Sequence, residues 1–212
     1  MDLTRTRIAL HGVAELLLAG PQYAVSNTVR LRVVPGGFAT VAEPDLRIEG
    51  TELLGAHGRQ PLSGSCAEVA AAAGLTPRRL DDVYGDGVDV SADDPIELDP
   101  DHVATLLAAL AAGDAALRAF APDEVPVLWP EHFDVAISRD DVNYGVSLGD
   151  ATLSEPYAYV GPWVRRSGPF WNQPFGSTRL LAALGSVDAV VAFFREGAER
   201  AAADPVEEET AR

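Results

Sequence analysis

The sequence contains no lysine, and all 16 of its basic residues are arginine. Three classes of protein depend on a lysine amine: Schiff-base enzymes, pyridoxal-phosphate enzymes and NTPases with a Walker phosphate loop. The absence of lysine therefore excludes all three.

Cysteine is almost absent as well, because Cys66 stands alone. A chain with one cysteine forms no internal disulfide and no thiolate zinc cluster, and we expect Cys66 to be a buried apolar side chain.

Positive charge is scarce relative to negative charge, with 32 acidic residues against 16 basic ones and a formal net charge of -16. Such a chain repels phosphate backbones, which disfavours nucleic acid as a partner. No apolar run approaches the roughly 18 to 20 residues of a membrane span, and the amino terminus lacks the apolar core of a secretory signal. We therefore expect a soluble, cytoplasmic protein that binds neither nucleic acid nor membranes.

Hydrophobic periodicity predicts both helices and strands. A helix over residues 4–19 is expected to end at Gly20 and Pro21, and Pro100 lies near the start of a helix that reaches Phe120. The acidic segment 81–101 is expected to be a loop with one or two short strands. The other predicted helices cover residues 66–73, 177–184 and 187–203, and the predicted strands cover 27–34, 38–42, 45–49, 53–57, 133–138, 142–147 and 156–160.

The order of these elements predicts an α+β fold, in which helices pack on an antiparallel sheet. Residues 1–80 and 98–203 share an order of helix, hairpin, third strand, loop and helix, which suggests two α-β-β-β-α halves. We predict one domain over residues 1–203, followed by a disordered acidic tail at residues 204–212.

Residues 128–172 contain all three tryptophans and are the candidate functional segment. Aromatic walls with a few polar groups are typical of a small-molecule pocket. Alternatively, the same aromatics form core beneath the loops, and their polar neighbours satisfy loop backbone. Arg165 and Arg166 are candidates to receive a carboxylate or phosphate at the rim. The predicted walls are Trp129, Tyr144, Tyr157, Tyr159, Trp163 and Trp171, and the predicted polar groups are His132, Asp134, Asn143, Ser147, Glu155 and Asn172.

The sequence Gly-Val-Ser-Leu-Gly at residues 145–149 matches the nucleophile elbow of α/β-hydrolases. That fold places its catalytic histidine after the serine, whereas all four histidines precede Ser147. The residues after Gly149 also form a poor helix, so we reject this fold. A serine hydrolase of another fold, with Ser147 paired to His132, stays open because such triads are defined by geometry.

A metal site is a second hypothesis for the same region. His132 and Asp134 would share one side of a strand, and His11 and Glu15 would share one side of a helix. Two histidines and two carboxylates would suit zinc, iron or manganese. The sequence gives no reason for the helix and the strand to meet, so no metal ligand is assigned and no cofactor is identified.

Several motifs resemble a group of actinobacterial proteins of unknown function. The amino half contributes residues 7–15 and Pro-Gly-Gly-Phe at 35–38, so the resemblance covers most of the chain. Leu148 stands where the group has a proline. The resemblance implies an actinobacterial source and no particular activity. The remaining motifs are Leu-Trp-Pro-Glu-His-Phe-Asp at 128–134, Gly-Val-Ser-Leu-Gly-Asp at 145–150, Glu-Pro-Tyr-Ala-Tyr-Val-Gly-Pro-Trp at 155–163 and Phe-Trp-Asn at 170–172.

These observations favour a protein that binds a small organic ligand in a pocket formed by residues 128–172. The first alternative is an enzyme, either a hydrolase or metal-dependent, that uses His132 as general base or metal ligand with Asp134 orienting it. The second alternative is a protein-interaction subunit, which would display its tryptophans on a flat exposed surface.

Overall fold

In the computed structural model, which describes residues 2–85 and 87–207, ten strands form one antiparallel sheet. Their order across the sheet is β10-β9-β8-β7-β6-β1-β2-β3-β4-β5. The prediction of an α+β fold with helices packed on an antiparallel sheet is confirmed. The strands are β1 (Leu31–Val34), β2 (Gly37–Thr40), β3 (Arg47–Glu49), β4 (Glu52–Gly55), β5 (Gly58–Pro61), β6 (Val127–Trp129), β7 (Asp134–Arg139), β8 (Val142–Ser147), β9 (Tyr157–Pro162) and β10 (Ser177–Leu180).

The sheet consists of two five-stranded meanders that meet where β1 pairs with β6, with Leu31 opposite Leu128. Each meander is preceded and followed by helix, so the two halves share an element order, with five strands each where the sequence suggested three. Strands β5 and β6 were not predicted. The first has no apolar alternation, and the second is only three residues long.

Helices pack on one face of the sheet, chiefly α4 and α6. The prediction of α4 is confirmed, and its start is fixed by the Asp99 carboxylate, which accepts from the backbone N–H groups of Asp101 and His102. Ser186 caps α6 in the same way, and this helix also matches its prediction. The helical segments are α1 (Leu3–Val13), a π-helical turn (Ala14–Ala19), α2 (Gly20–Ser26), α3 (Cys66–Ala72), α4 (Pro100–Phe120), α5 (Leu181–Leu184) and α6 (Val187–Ala203).

Among the described residues, α4 is the one helix long and apolar enough to span a membrane by length and composition. Here its buried side chains join the main core, and the helix approaches the sheet closely at Gly113. A Cβ at that position would lie 2.7 Å from side-chain atoms of both Val135 and Val146. The helix therefore serves as the central core helix of this fold.

The predicted helix end at Gly20 and Pro21 is wrong, because the helix continues to Ser26 through the π-helical turn. In that turn the Gly20 N–H donates to the Glu15 carbonyl, five residues back. Proline has no N–H, so Pro21 cannot donate to the Leu16 carbonyl, which accepts from the Arg78 N–H at 3.2 Å. The helix therefore continues past Pro21 because Arg78, from a distant segment, supplies the hydrogen bond that the proline cannot make.

Three further predictions differ from the structure. Residues 177–180 form the edge strand β10 and not a helix, because they pair with β9 from Ser177 to Leu180. The described residues of segment 81–101 contain no strand and contribute one isolated bridge, between Pro95 and Ser65. Residues 204–207 are not a free tail, since Val206 bridges Arg166; residues 208–212 lie outside the described part of the chain.

Candidate functional site

A cleft of about 870 Å³ lies over strands of the second meander, on the face of the sheet opposite α4 and α6. Side chains alternate along each strand, so Val135 and Val146 face the helices while Asp134 and Ser147 face the cleft. Strands β7 to β9 form its floor. Its walls come from the start of α1, from residues 149–151 and 161–165, and from Pro174 and Phe175.

A buried carboxyl–phenol pair lies in the floor of the cleft. Asp134 is only 5% exposed, and its Oδ2 accepts a short hydrogen bond from the Tyr159 hydroxyl. Its Oδ1 is also buried but has no hydrogen-bond partner. Burial raises the pKa of the Asp134 carboxyl, although the bond from Tyr159 opposes that shift. Burial and the adjacent carboxyl raise the pKa of Tyr159 as well.

Gly145 allows this pair to form. It lies on β8 directly between Ala136 on β7 and Tyr159 on β9. A Cβ at residue 145 would lie 2.5 Å from the Tyr159 hydroxyl oxygen, so any larger residue would block the ring from crossing to Asp134. The first glycine of the Gly-x-Ser-x-Gly sequence thus leaves room for a side-chain contact between strands and is not part of a nucleophile elbow.

A second phenol–carboxylate pair closes one end of the cleft. The Tyr157 hydroxyl donates to Asp150 Oδ2 at 2.5 Å, and Asp150 Oδ1 accepts from the N–H groups of Thr152 and Leu153. Burial alone would raise the pKa of Asp150, but these hydrogen bonds outweigh it and hold the pKa below its usual value. Asp150 is therefore an ionised carboxylate whose lone pairs are largely occupied.

Ser147 belongs to this network. Its Oγ accepts from the Gly149 N–H at 3.1 Å, and Ser147 lies directly opposite Tyr157 in the sheet. No hydrogen bond joins Ser147 to a histidine within the described residues, so the structure does not assemble the serine–histidine pair that a hydrolase would need.

Helix α1 brings a cation and a neutral histidine to the cleft. The Arg7 Nε is buried without a hydrogen-bond partner, and burial lowers the pKa of this guanidinium. His11 Nε2 lies 2.5 Å from the Pro130 carbonyl oxygen, and its ring stacks on Phe133. Burial lowers the pKa of His11 to about 4, so the neutral ring donates its Nε2–H to that carbonyl.

The far wall of the cleft is aromatic and open. Trp163 is 63% exposed, and Phe175 is also exposed. The Trp163 indole N–H donates to Asn143 Oδ1 at 3.2 Å, and that oxygen also accepts from the Ser138 hydroxyl. This bond leaves the indole ring facing solvent beside the cleft, where an apolar group of a ligand could lie against it.

No hydrogen bond or ion pair within 4.0 Å joins His132 to Asp134. The His132 side chain is 61% exposed, and its nearest acidic partner is Glu131 at 4.0 Å. Glu15, one of the four ligands considered for a metal, is engaged elsewhere, because it accepts from the Leu80 N–H and the Tyr84 hydroxyl. Across residues 2–85 and 87–207, no three His, Cys, Asp or Glu side chains group in a way that could hold a metal ion.

The structure brings seven of the twelve predicted wall and polar residues together in the cleft and leaves five outside its lining. Tyr144 packs on the helix side between Phe120 and Phe194, and Asn172 bonds the backbone of Thr178. These two stabilise the fold. Trp129 lies under Arg30, Trp171 donates to Asp204, and Glu155 is exposed. The seven in the cleft are His132, Asp134, Asn143, Ser147, Tyr157, Tyr159 and Trp163.

Sequence reasoning missed the contributions of Arg7, Asp150 and Phe175 to this site. Arg7 comes from the other half of the chain, and no local pattern connects it with β7. Asp150 could have been found, since it ends the motif at residues 145–150 and follows a glycine in a loop rich in polar residues.

Comparison with protein-family models, with curated proteins and with solved structures found no match to this chain. The resemblance to an actinobacterial group therefore stays a prediction.

Proposed function

We propose that the protein binds a small organic ligand in the cleft over β7, β8 and β9. The observation that carries the proposal is the unpartnered Oδ1 of Asp134, a buried acceptor at the floor of a cleft. A buried acceptor without a partner costs about 1–3 kcal/mol, and a ligand that donates to it would remove that cost. Trp163 and Phe175 supply apolar surface on the same cleft, and its volume is in the range of small-molecule sites.

Tryptophan fluorescence offers a direct test, because Trp163 lines the cleft while Trp129 and Trp171 do not. A mixed library of small acids, amines, peptides and neutral aromatics would be screened by thermal shift, since a ligand raises the melting temperature by mass action. Each hit should change the fluorescence of the wild type and of Trp129→Phe, and should leave that of Trp163→Phe largely unchanged. No hit across the library, or a response that survives Trp163→Phe, would contradict binding in this cleft.

A second candidate function is acid–base catalysis by Asp134. The specific observation is the raised pKa of a carboxyl that lines a cleft, which is the condition a general acid needs near neutral pH. In this alternative Asp134 carries the proton, and the exposed His132 does not. The test is to incubate each confirmed ligand with protein and examine it by mass spectrometry. Conversion by the wild type that is lost in Asp134→Asn supports catalysis, whereas full recovery of the ligand supports binding alone.

A further inference from the structure

Two residues that line the same cleft each carry a buried polar atom of opposite chemistry without a hydrogen-bond partner in the described protein. Asp134 Oδ1 is an acceptor on the floor, and Arg7 Nε is a donor on the wall. The other two such atoms, in Arg47 and His102, belong to residues outside the cleft. Folded proteins satisfy most buried polar groups, so an unpaired acceptor and an unpaired donor on one cleft point to a ligand that has both a donor and an acceptor.

The nearest carboxylate does not compete for Arg7. Asp150 interacts electrostatically with Arg7, yet no ion pair within 4.0 Å joins the two. Its oxygens are taken by the Tyr157 hydroxyl and by two backbone N–H groups. The Arg7 side chain, which lines the cleft, therefore keeps charge and hydrogen-bonding capacity for which a carboxylate is the best partner.

The strand register separates Asp134 from Tyr157, the phenol on which the charge of Arg7 acts. Asp134, Ser147 and Tyr157 lie opposite one another on three neighbouring strands. Strands are about 4.8 Å apart, so the backbones of Asp134 and Tyr157 are roughly 10 Å apart. Arg7 acts on Tyr157 and Asp150 at the far side of this row. A ligand that reaches both groups needs its acidic end and its donor end several ångströms apart.

We propose that the cleft binds a short peptide with free termini, its carboxylate on Arg7 and its terminal ammonium on Asp134. The assignment rests on the proposed function, whose cleft it uses. A peptide separates its two charges by about 3.5 Å for each extended residue, which suits the spacing better than a single amino acid does. With a formal net charge of -16, the protein repels a simple anion but exerts no net repulsion on a zwitterion.

The cleft offers apolar side chains of the peptide a surface at the end that contains Trp163 and Phe175. Tyr157 begins β9 and Gly161 lies four residues along it, so the floor extends about 13 Å from the charged end toward Trp163. Trp163 and Phe175 are exposed on the cleft at that end. An aromatic side chain at the carboxyl-terminal residue of the peptide would extend part of the way along this floor toward the wall while its carboxylate stays at Arg7.

The test uses calorimetry on the full chain with three probes: L-phenylalanine, Ala-Phe and Ala-Ala-Phe, all with free termini. Each is compared with its N-acetyl form, which removes the ammonium, and with its carboxamide form, which removes the carboxylate. We expect at least one of the two peptides to bind more tightly than phenylalanine, and either blocking group to weaken it at least tenfold. Blocked forms that bind as tightly as the free peptide, or no binding by either peptide, would overturn the proposal.

Variants assign each end of the peptide. Asp134→Asn should remove the preference for the free over the acetylated amino terminus, and Arg7→Gln should remove the preference for the acid over the amide. Arg30→Gln, which changes an arginine outside the cleft, serves as the control and should retain both preferences. The comparison of blocked and free peptides on the wild type stands even if a variant fails to fold. Failure of all peptides with binding of other library compounds would refute the peptide and leave the binding function intact.

Discussion

The ionisation of Asp134 links the candidate site to the stability of the fold. Because its folded-state pKa is raised above the ordinary 3.8, the stability that its neutral form contributes is present at low pH and is lost as the pH rises through the raised value. Asp134→Asn keeps a neutral acceptor for Tyr159 and cannot ionise. The free energy of unfolding of the variant, relative to that of the wild type, should therefore increase between pH 4 and pH 8. Urea unfolding across that range measures the difference, and a constant difference would contradict the prediction.

His11 should produce the opposite pH dependence. Its pKa falls from 6.5 to about 4 on folding, so the neutral ring contributes stability that is complete above pH 6.5 and is lost as the pH falls toward 4. The full effect corresponds to roughly 3 kcal/mol. His11→Gln can still donate to the Pro130 carbonyl but does not titrate in this range. The variant should therefore lose less stability than the wild type between pH 6.5 and pH 4, and equal slopes would refute the assignment to His11.

At the scale of the element, Gly20 decides whether the N-terminal helix can pack. A Cβ at this residue would lie 2.0 Å from the backbone carbonyl oxygen of Arg78, which belongs to the segment that also bonds Leu16. Backbone cannot move aside as a flexible side chain can, so Gly20→Ala should destabilise the protein by at least about 1–3 kcal/mol. Gly85→Ala is the control, because its Cβ would contact nothing within 4 Å, and it should stay within about 0.5 kcal/mol of the wild type. Similar denaturation midpoints for the two variants would show that the helix shifts easily.

The helices that were predicted correctly are those whose limits are local. Asp99 and Pro100 start α4, and Ser186 starts α6, each through bonds within the first turn. The end predicted at Gly20 failed because the missing proline N–H is compensated by Arg78, far along the chain. Strand β10 was taken for helix because its pairing with β9 is not visible in a local pattern. Local sequence signals therefore predicted these elements only where the backbone groups at their ends bond to neighbouring residues in the chain.

At the scale of the whole molecule, the candidate site also combines residues that local sequence predicts with residues that only distant contacts bring together. Strand alternation in β7, β8 and β9 places Asp134, Ser147 and Tyr157 on one face, so that part of the site could be predicted from sequence. Arg7 and His11 reach the cleft only because α1 packs on α4 and carries them to the end of the second meander. The first half of the chain thus completes a site whose floor belongs to the second half, and no local pattern predicts that.

This shared construction predicts that the two halves unfold together. Helix α4 packs on β1 and β2 of the first meander as well as on β7 and β8 of the second, and the sheet continues across the pair of β1 and β6. All three tryptophans lie in the second half, so their fluorescence reports that half, whereas circular dichroism reports helices and strands of both. Guanidinium unfolding followed by the two signals should give coincident transitions with one midpoint, as a single cooperative domain requires. A fluorescence midpoint separated from the dichroism midpoint would instead mean that each meander, with its own helices, is a domain that folds independently.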